Sequence, residues 1–158
     1  MRPAEALRYT VLAVQREGDR RLSEQLAPLG ISTAQAEVIR VLADHGPLTL
    51  AGLGGLLVCE GGGSPSRLVD RLVRIGLVDR VPSATDRRTV ILSLTPRGSD
   101  ASARVADVER RLYEQIDRIL APERAEDLTA QLRGLLGGSQ ADVVLARRTG
   151  RSTQHGVG

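Results

Sequence analysis

At 158 residues the chain is long enough for one domain with its own core, and with two Tyr and no Phe or Trp that core must be built from Leu, Val, Ile and Ala. The scarcity of aromatics argues against single-strand nucleic-acid binding, which stacks bases on aromatic rings. The formal net charge of +3 is modest, so the distribution of charge has to carry any argument about partners.

In chain order, Pro3 opens a first helix through about Leu26, with Leu7, Val11, Val14, Leu22 and Leu26 on one face. Pro28 and Gly30 break it. Ser32 is the N-cap of a second helix, with Gln35 three residues on in capping-box spacing, and Gly46-Pro47 stops that helix. A third helix is expected over about Thr49 to Leu57, although Gly52, Gly54 and Gly55 each lower its propensity by roughly 1 kcal/mol relative to Ala. Gly61-Gly62-Gly63 forms a turn. It lacks the following Gly-Lys-Ser/Thr and the preceding strand of a phosphate loop.

Ser64 then caps a fourth helix with Pro65 at its first position. Leu68, Val69, Leu72 and Ile75 make its inward stripe, which leaves Ser66, Arg67, Asp70, Arg71 and Arg74 facing out. Gly76 ends it. Leu77 to Val81 and Thr89 to Leu94 are β-rich and are joined by the polar run Pro82 to Arg88, which predicts a hairpin. Thr95-Pro96 starts a long fifth helix with Val105, Val108, Leu112, Ile116 and Ile119 at steps of three and four. Pro122 resets the chain for a sixth helix from about Glu123, carrying Leu128, Leu132, Leu135 and Leu136. Residues 138–158 mix Gly, Ser, Thr, Arg and Gln and read as a disordered tail, with at most a helical turn around Val143 to Arg147.

Between Ser64 and Gly98 seven Arg (67, 71, 74, 80, 87, 88 and 97) stand against three Asp (70, 79 and 86). Binding to phosphate requires a basic surface concentrated in this way. Small Ser64 and Ser66 at the start of the fourth helix would let its first turn approach base edges, and its free N–H groups favour a nearby phosphate. Arg67 is the candidate for bidentate hydrogen bonds to guanine, with Arg71 and Arg74 farther along as phosphate ligands.

These residues resemble the multiple-antibiotic-resistance regulator (MarR) family of transcription factors, from roughly Leu7 to Leu136 and most specifically from Ser64 to Gly98. Asp86-Arg87-Arg88, followed by Leu92-Ser93-Leu94-Thr95-Pro96-Arg97-Gly98, is similar to the family's Asp-x-Arg wing signature. The resemblance implies a mainly α fold with a small β-hairpin wing: a winged helix-turn-helix with N- and C-terminal dimerisation helices. Residues 1–137 would form the domain, with 32–98 as the DNA-binding lobe and 3–27 and 96–137 as dimerisation helices. It further implies that Arg88 enters a minor groove, where a narrow A·T-rich tract rewards an inserted Arg, and that Asp86 braces the loop or an arginine beside Arg87. Leu112, Ile116, Leu128 and Leu132 are candidates for the dimer contact, and equally for intrachain core.

By the same resemblance the chain is a homodimeric, sequence-specific regulator of double-stranded DNA. It would be a repressor at an inverted-repeat operator, released by a small phenolic or anionic effector, with Tyr9 a candidate for the effector cleft. The alternative is a winged-helix module that binds protein rather than DNA, and it would have no need for both Arg67 and Arg88. Catalysis is disfavoured because no Ser/His/Asp set is legible. His45 and His155 with one Cys make no convincing metal site, so no metal and no cofactor are expected. Cys59 is expected to be a buried structural thiol, and a single cysteine fits a reducing compartment. No apolar run nears the roughly 20 residues that span a bilayer. The N-terminus lacks a signal-peptide core, so the expected location is cytoplasmic.

Overall fold

The computed structural model describes residues 1–58, 64–83, 86 and 88–150. Among the described residues, seven helices and a three-stranded sheet follow in the order α1 (Pro3–Leu26), α2 (Thr33–His45), β1 (Leu48–Thr49), α3 (Leu50–Gly54), α4 (Pro65–Arg74), β2 (Val78–Pro82), β3 (Val90–Leu94), α5 (Pro96–Ile119), α6 (Pro122–Gly134) and α7 (Gln140–Thr149), with a 3-10 turn at Ala27–Leu29 after α1. The main boundaries follow local chemistry. Ser32 Oγ accepts from the Gln35 N–H at 3.2 Å while Gln35 Oε1 accepts from the Ser32 N–H at 2.9 Å, so both halves of the capping box form. Thr95 Oγ1 accepts from the Gly98 N–H at 2.9 Å and starts α5.

The sheet is antiparallel in the order β1-β3-β2. Leu92 in its centre faces Leu48 on one side and Arg80 on the other. Leu92 and Val78 point into a core shared with Val38, Ile39 and Val41 of α2, Leu53 of α3, Val69 and Leu72 of α4, and Val105 of α5. Fully burying each such side chain is worth about 1.5–3 kcal/mol. This core fixes α4 against α2 and the hairpin, which sets where the exposed face of α4 points.

Gly76 has φ +75°, the left-handed conformation that reverses the chain from α4 into β2. Gly98 serves a different need. A Cβ there would lie 2.0 Å from the Leu77 carbonyl oxygen, so only glycine lets α5 start beside the β2 entry. The Thr95 N–H donates to that same oxygen at 3.1 Å, and the Thr95 hydroxyl donates to the Gly76 carbonyl at 2.8 Å.

Several expectations are corrected. The third helix runs only over Leu50–Gly54, because three glycines weaken it, and the strand Leu48–Thr49 precedes it. Ser64 occupies the N-cap position of α4, but its side chain makes no capping hydrogen bond. The tail expected to be disordered from 138 instead carries α7. Ser139 caps that helix, Arg133 donates to Asp142 at 2.9 and 3.1 Å, and Val144 and Ala146 are buried. Residues 151–158, with His155, lie outside the described residues, as do Cys59 and Gly61-Gly62-Gly63.

Candidate nucleic-acid interface

Leu68, Val69 and Leu72 are buried and Ile75 half-buried, so α4 can only present its other side outward. Arg67, Arg71 and Arg74 lie on that side and are exposed, Ser64 is exposed at the N-terminus, and Ser66 is half-buried. Arg67 and Arg71 border an open depression of about 480 Å³ whose far wall is Ser32 and Gln35 at the start of α2. The first turns of α2 and α4 therefore meet around one concave surface.

Asp70, which the sequence places among outward-facing residues, has a mechanical role. Its Oδ1 is 2.6 Å from Arg80 Nη2 on β2, a charge-assisted contact tying the helix to the hairpin. Sequence spacing does not reveal this pair, since the partners belong to different elements ten residues apart. Arg80 is thereby withdrawn from the set of arginines available to a ligand.

At the hairpin tip Asp86 organises the backbone. Its carboxylate accepts from the Arg88 N–H at 3.0 Å and from the Thr89 hydroxyl at 2.8 Å. The Thr89 N–H donates to the Asp86 carbonyl at 2.9 Å, and the Ser83 N–H to the Thr89 carbonyl at 2.8 Å. The Arg88 N–H, then the Thr89 hydroxyl, hold the Asp86 carboxyl below the usual aspartate range. Of the two braces considered for Asp86, the structure shows the loop brace. Arg88 sits exposed at this braced tip, and Arg87 lies outside the described residues. Arg67, Arg71, Arg74 and Arg88 make no ion pair among the described residues. By contrast Arg20, Arg21, Arg40, Arg110, Arg133 and Arg148 are all engaged with carboxylates.

Comparison with known proteins bears on this arrangement directly. A family model described as a winged helix DNA-binding domain matches residues 31–98, the span from the start of α2 to the Gly98 junction. The multiple antibiotic resistance protein MarR of Escherichia coli is 32% identical over 117 residues, covering 74% of this chain and 76% of that protein. The chain belongs to the MarR family. The HTH-type transcriptional regulator FarR of Neisseria gonorrhoeae is 30% identical over 105 residues, covering 65% of this chain and 71% of that one. A mutant of E. coli MarR, solved in complex with operator DNA, superposes with a TM-score of 0.72 at 29% identity, over 83% of this chain and 94% of that one. The organohalide-sensing regulator RdhR, solved with 2,4-dichlorophenol, shares the fold with a TM-score of 0.77 at 20% identity, over 96% of this chain and 88% of that one.

As in other MarR-family winged helix-turn-helix regulators, the lobe is flanked by terminal helices. In this chain those helices carry uncovered apolar residues. Ile116 and Leu128 are exposed, and Leu112 and Leu132 half-buried. Leu7, Val11, Leu12 and Val14 of α1, Ile119 of α5, 81% exposed, and Leu135 after α6, 69% exposed, are uncovered as well. Tyr9 is exposed on α1 with the Arg8 guanidinium 5.4 Å from its ring centroid. A cavity between α1, α2 and α5 has Tyr113 in its lining and not Tyr9. His45 ends α2 exposed. Among the described residues no group of His, Cys, Asp and Glu is placed to hold a metal ion, and no helix is long and apolar enough to cross a membrane.

Proposed function

We propose that the chain acts as a homodimeric repressor that reads an inverted-repeat operator in double-stranded DNA and is released by a small molecule, with no catalytic activity. The observation carrying this is the set of four exposed arginines without carboxylate partners among the described residues, Arg67, Arg71, Arg74 and Arg88, on a helix and hairpin locked together by Asp70 and Arg80. Ser64, Ser66 and Arg67 would meet base edges in the major groove, Arg71 and Arg74 phosphates, and Arg88 the flanking minor groove. Asp86 contributes by shaping the tip, and Arg87 adds charge beside it.

In this proposal residues 32–98 form the DNA-binding lobe, and 3–27 with 96–137 form the dimerisation helices, Leu112, Ile116, Leu128 and Leu132 among their contacts. Leu7, Val11, Ile116, Ile119, Leu128 and Leu135 are large apolar side chains left uncovered on these helices, as expected where a partner covers them. A two-fold axis through it would place two recognition helices about 34 Å apart, one helical turn of DNA. Relatives solved with operator DNA and with a phenol support reading both partners into the chain. A ligand that binds better when the two helices are wrongly spaced would shift the population away from the DNA-bound form.

Selection from a random duplex library at physiological salt tests the reading. Enrichment of a palindrome with half-sites about one turn apart is the expected result. Neutralising two to four phosphates per protomer gives a log–log salt slope of about −4 to −7. Bulk affinity without sequence enrichment would refute sequence-specific regulation.

A further inference from the structure

The two C-terminal helices differ in how they meet the rest of the chain. No residue of α6 is buried, whereas α7 buries Asp142, Val144 and Ala146. α7 is fastened at each end. At its start Ser139 caps it, and Arg133 of α6 donates to Asp142 at 2.9 and 3.1 Å. At its far end Arg148 Nη1 lies 3.0 Å from Asp44 Oδ2 on α2. Arg147 Nη1 comes to 3.2 Å from the point a Cβ would occupy at Gly55, just after α3. Val144 and Ala146 stand outside the core that joins the sheet to α2, α3, α4 and α5. α7 is therefore attached to that core from outside and can detach without opening it.

Asp44 is an effective attachment point because it is itself held. Its Oδ1 is 3.1 Å from Arg40 Nη2, one turn earlier on α2, which leaves Oδ2 for Arg148. Arg40 Nε lies 3.2 Å from Glu109 Oε2, and Arg40 Nη1 donates to Ser102 Oγ at 3.4 Å, so the same guanidinium also ties α2 to α5. The ion chain Arg148–Asp44–Arg40–Glu109 thus joins α7, α2 and α5 at one place. The side chains of Arg148, Arg40 and Glu109 are 22, 23 and 23% exposed, which sets this network apart from the exposed pairs that contribute little. None of its members lines the concave surface of Ser32, Gln35, Arg67 and Arg71. Arg67, Arg71, Arg74 and Arg88 all stay exposed with α7 in place. α7 leaves the proposed DNA edge open, and its influence there runs only through where the lobe sits.

We propose that α7 is a strap that sets the position of the DNA-binding lobe against α5 and α6, with Arg148 and Asp44 as positioning residues for operator binding. The inference rests on the dimeric regulator proposed above and adds a determinant of its half-site spacing. A dimer reads two successive major grooves only when its two α4 helices are about 34 Å apart. That distance depends on the angle between each lobe and its own α5, and the strap removes freedom from that angle. A lobe that holds the right place about a tenth of the time lowers the apparent affinity about tenfold. Arg148 lies outside the proposed DNA edge, so its loss changes affinity without removing a phosphate contact.

The test uses the full-length protein, the duplex enriched by selection, and copies of it whose half-site spacing is one base pair longer or shorter. Arg148→Ala should weaken binding about fivefold or more and narrow the preference for the selected spacing. Its log–log salt slope and its dimer association constant should match wild type. Arg148→Lys keeps a charge for Asp44 and should restore most of the affinity. Val144→Asp places a charge on the buried side of α7 and should repeat the effects of Arg148→Ala; if it does not fold, the two Arg148 variants decide. Arg124→Ala removes the same charge from an exposed arginine of α6 that makes no ion pair among the described residues, and should bind like wild type. Wild-type affinity and spacing preference in Arg148→Ala, an equal loss in Arg124→Ala, a shallower salt slope or a weakened dimer would overturn the strap alone. A wild-type protein that enriches no sequence refutes the regulator on which it rests.

Discussion

Gly98→Ala addresses the junction on which the hairpin hangs. The added methyl carbon would sit 2.0 Å from the Leu77 carbonyl oxygen, 3.0 Å from its carbon and 3.3 Å from Leu94 Cδ2. Ordinary contact begins at 3.4 Å, so the start of α5 and the entry to β2 must part by about 1.4 Å, and the obstacle is backbone that cannot swing aside. Overpacking of this kind costs about 1–3 kcal/mol. The separation also breaks the Thr95 N–H bond to Leu77, now 3.1 Å, for about another 1 kcal/mol and more if the carbonyl stays buried and unpaired. Alanine returns up to about 1 kcal/mol of helix propensity. The net expectation is destabilisation by about 2 kcal/mol, a fall in Tm of about 4–8 °C for a chain of this size.

Denaturant unfolding at fixed protein concentration reads this directly, since the stability of a dimer depends on concentration. Gly134→Ala is the control: a Cβ there meets nothing within 4 Å, and stability should hold or rise by up to about 1 kcal/mol. Gly98→Ala within about 0.5 kcal/mol of wild type, the scatter of ordinary surface changes, would refute the close-approach argument.

Arg88→Ala should weaken operator binding strongly, with unchanged thermal stability and a salt slope shallower by about 1 per half-site; fluorescence anisotropy across a salt series checks this, and wild-type affinity would remove Arg88 from the interface. Ile116→Asp should abolish the dimer in sedimentation velocity, because an apolar contact would have to bury a charge, and a wild-type association constant would show that the interface lies elsewhere. Glu109→Gln should leave stability unchanged or raise it at neutral pH. The folded state holds the Glu109 carboxyl above its ordinary value by burial, so its ionisation opposes folding as pH rises through the unfolded and then the folded pKa. The advantage of Gln should therefore be present above the folded pKa and vanish below the unfolded one. An advantage that grows on acidification would contradict the sign.

Much of the fold is legible because its signals are local. The Ser32–Gln35 box, Thr95-Pro96 and Gly76 each act within four residues, and the structure places helix boundaries where they predict. Local signals also mislead. Three glycines contradict the third helix, which survives as five residues, and the two-residue strand Leu48–Thr49 exists only because Leu92 and Ile91 of β3 pair with it. The composition of the C-terminal segment suggests disorder, yet Arg133–Asp142 and Arg148–Asp44 order α7 through partners 9 and 104 residues away. The candidate site divides in the same way. Arg67 and Arg88 are legible from spacing and resemblance, whereas the Asp70–Arg80 tie requires knowing how α4 meets β2.

The electrostatics of the chain depend less on its net charge of +3 than on how its 22 arginines are partitioned. On α1, α2, α5, α6 and α7 the arginines named above meet carboxylates within 4 Å. Exposed pairs of that kind contribute little stability, but each removes a positive charge from the long-range field. On α4 and the hairpin, Asp70 is held by Arg80 and Asp86 by the loop backbone, so neither acid neutralises Arg67, Arg71, Arg74 or Arg88. Those four charges stay available on α4 and the hairpin tip to steer an encounter with a polyanion. Charge-reversing an arginine elsewhere, such as Arg110 between Asp107 and Glu114, perturbs a local pair and leaves those four intact. Freedom from carboxylates counts here only together with a place on α4 or the hairpin tip, since Arg16, Arg104 and Arg124 on other helices also make no ion pair among the described residues.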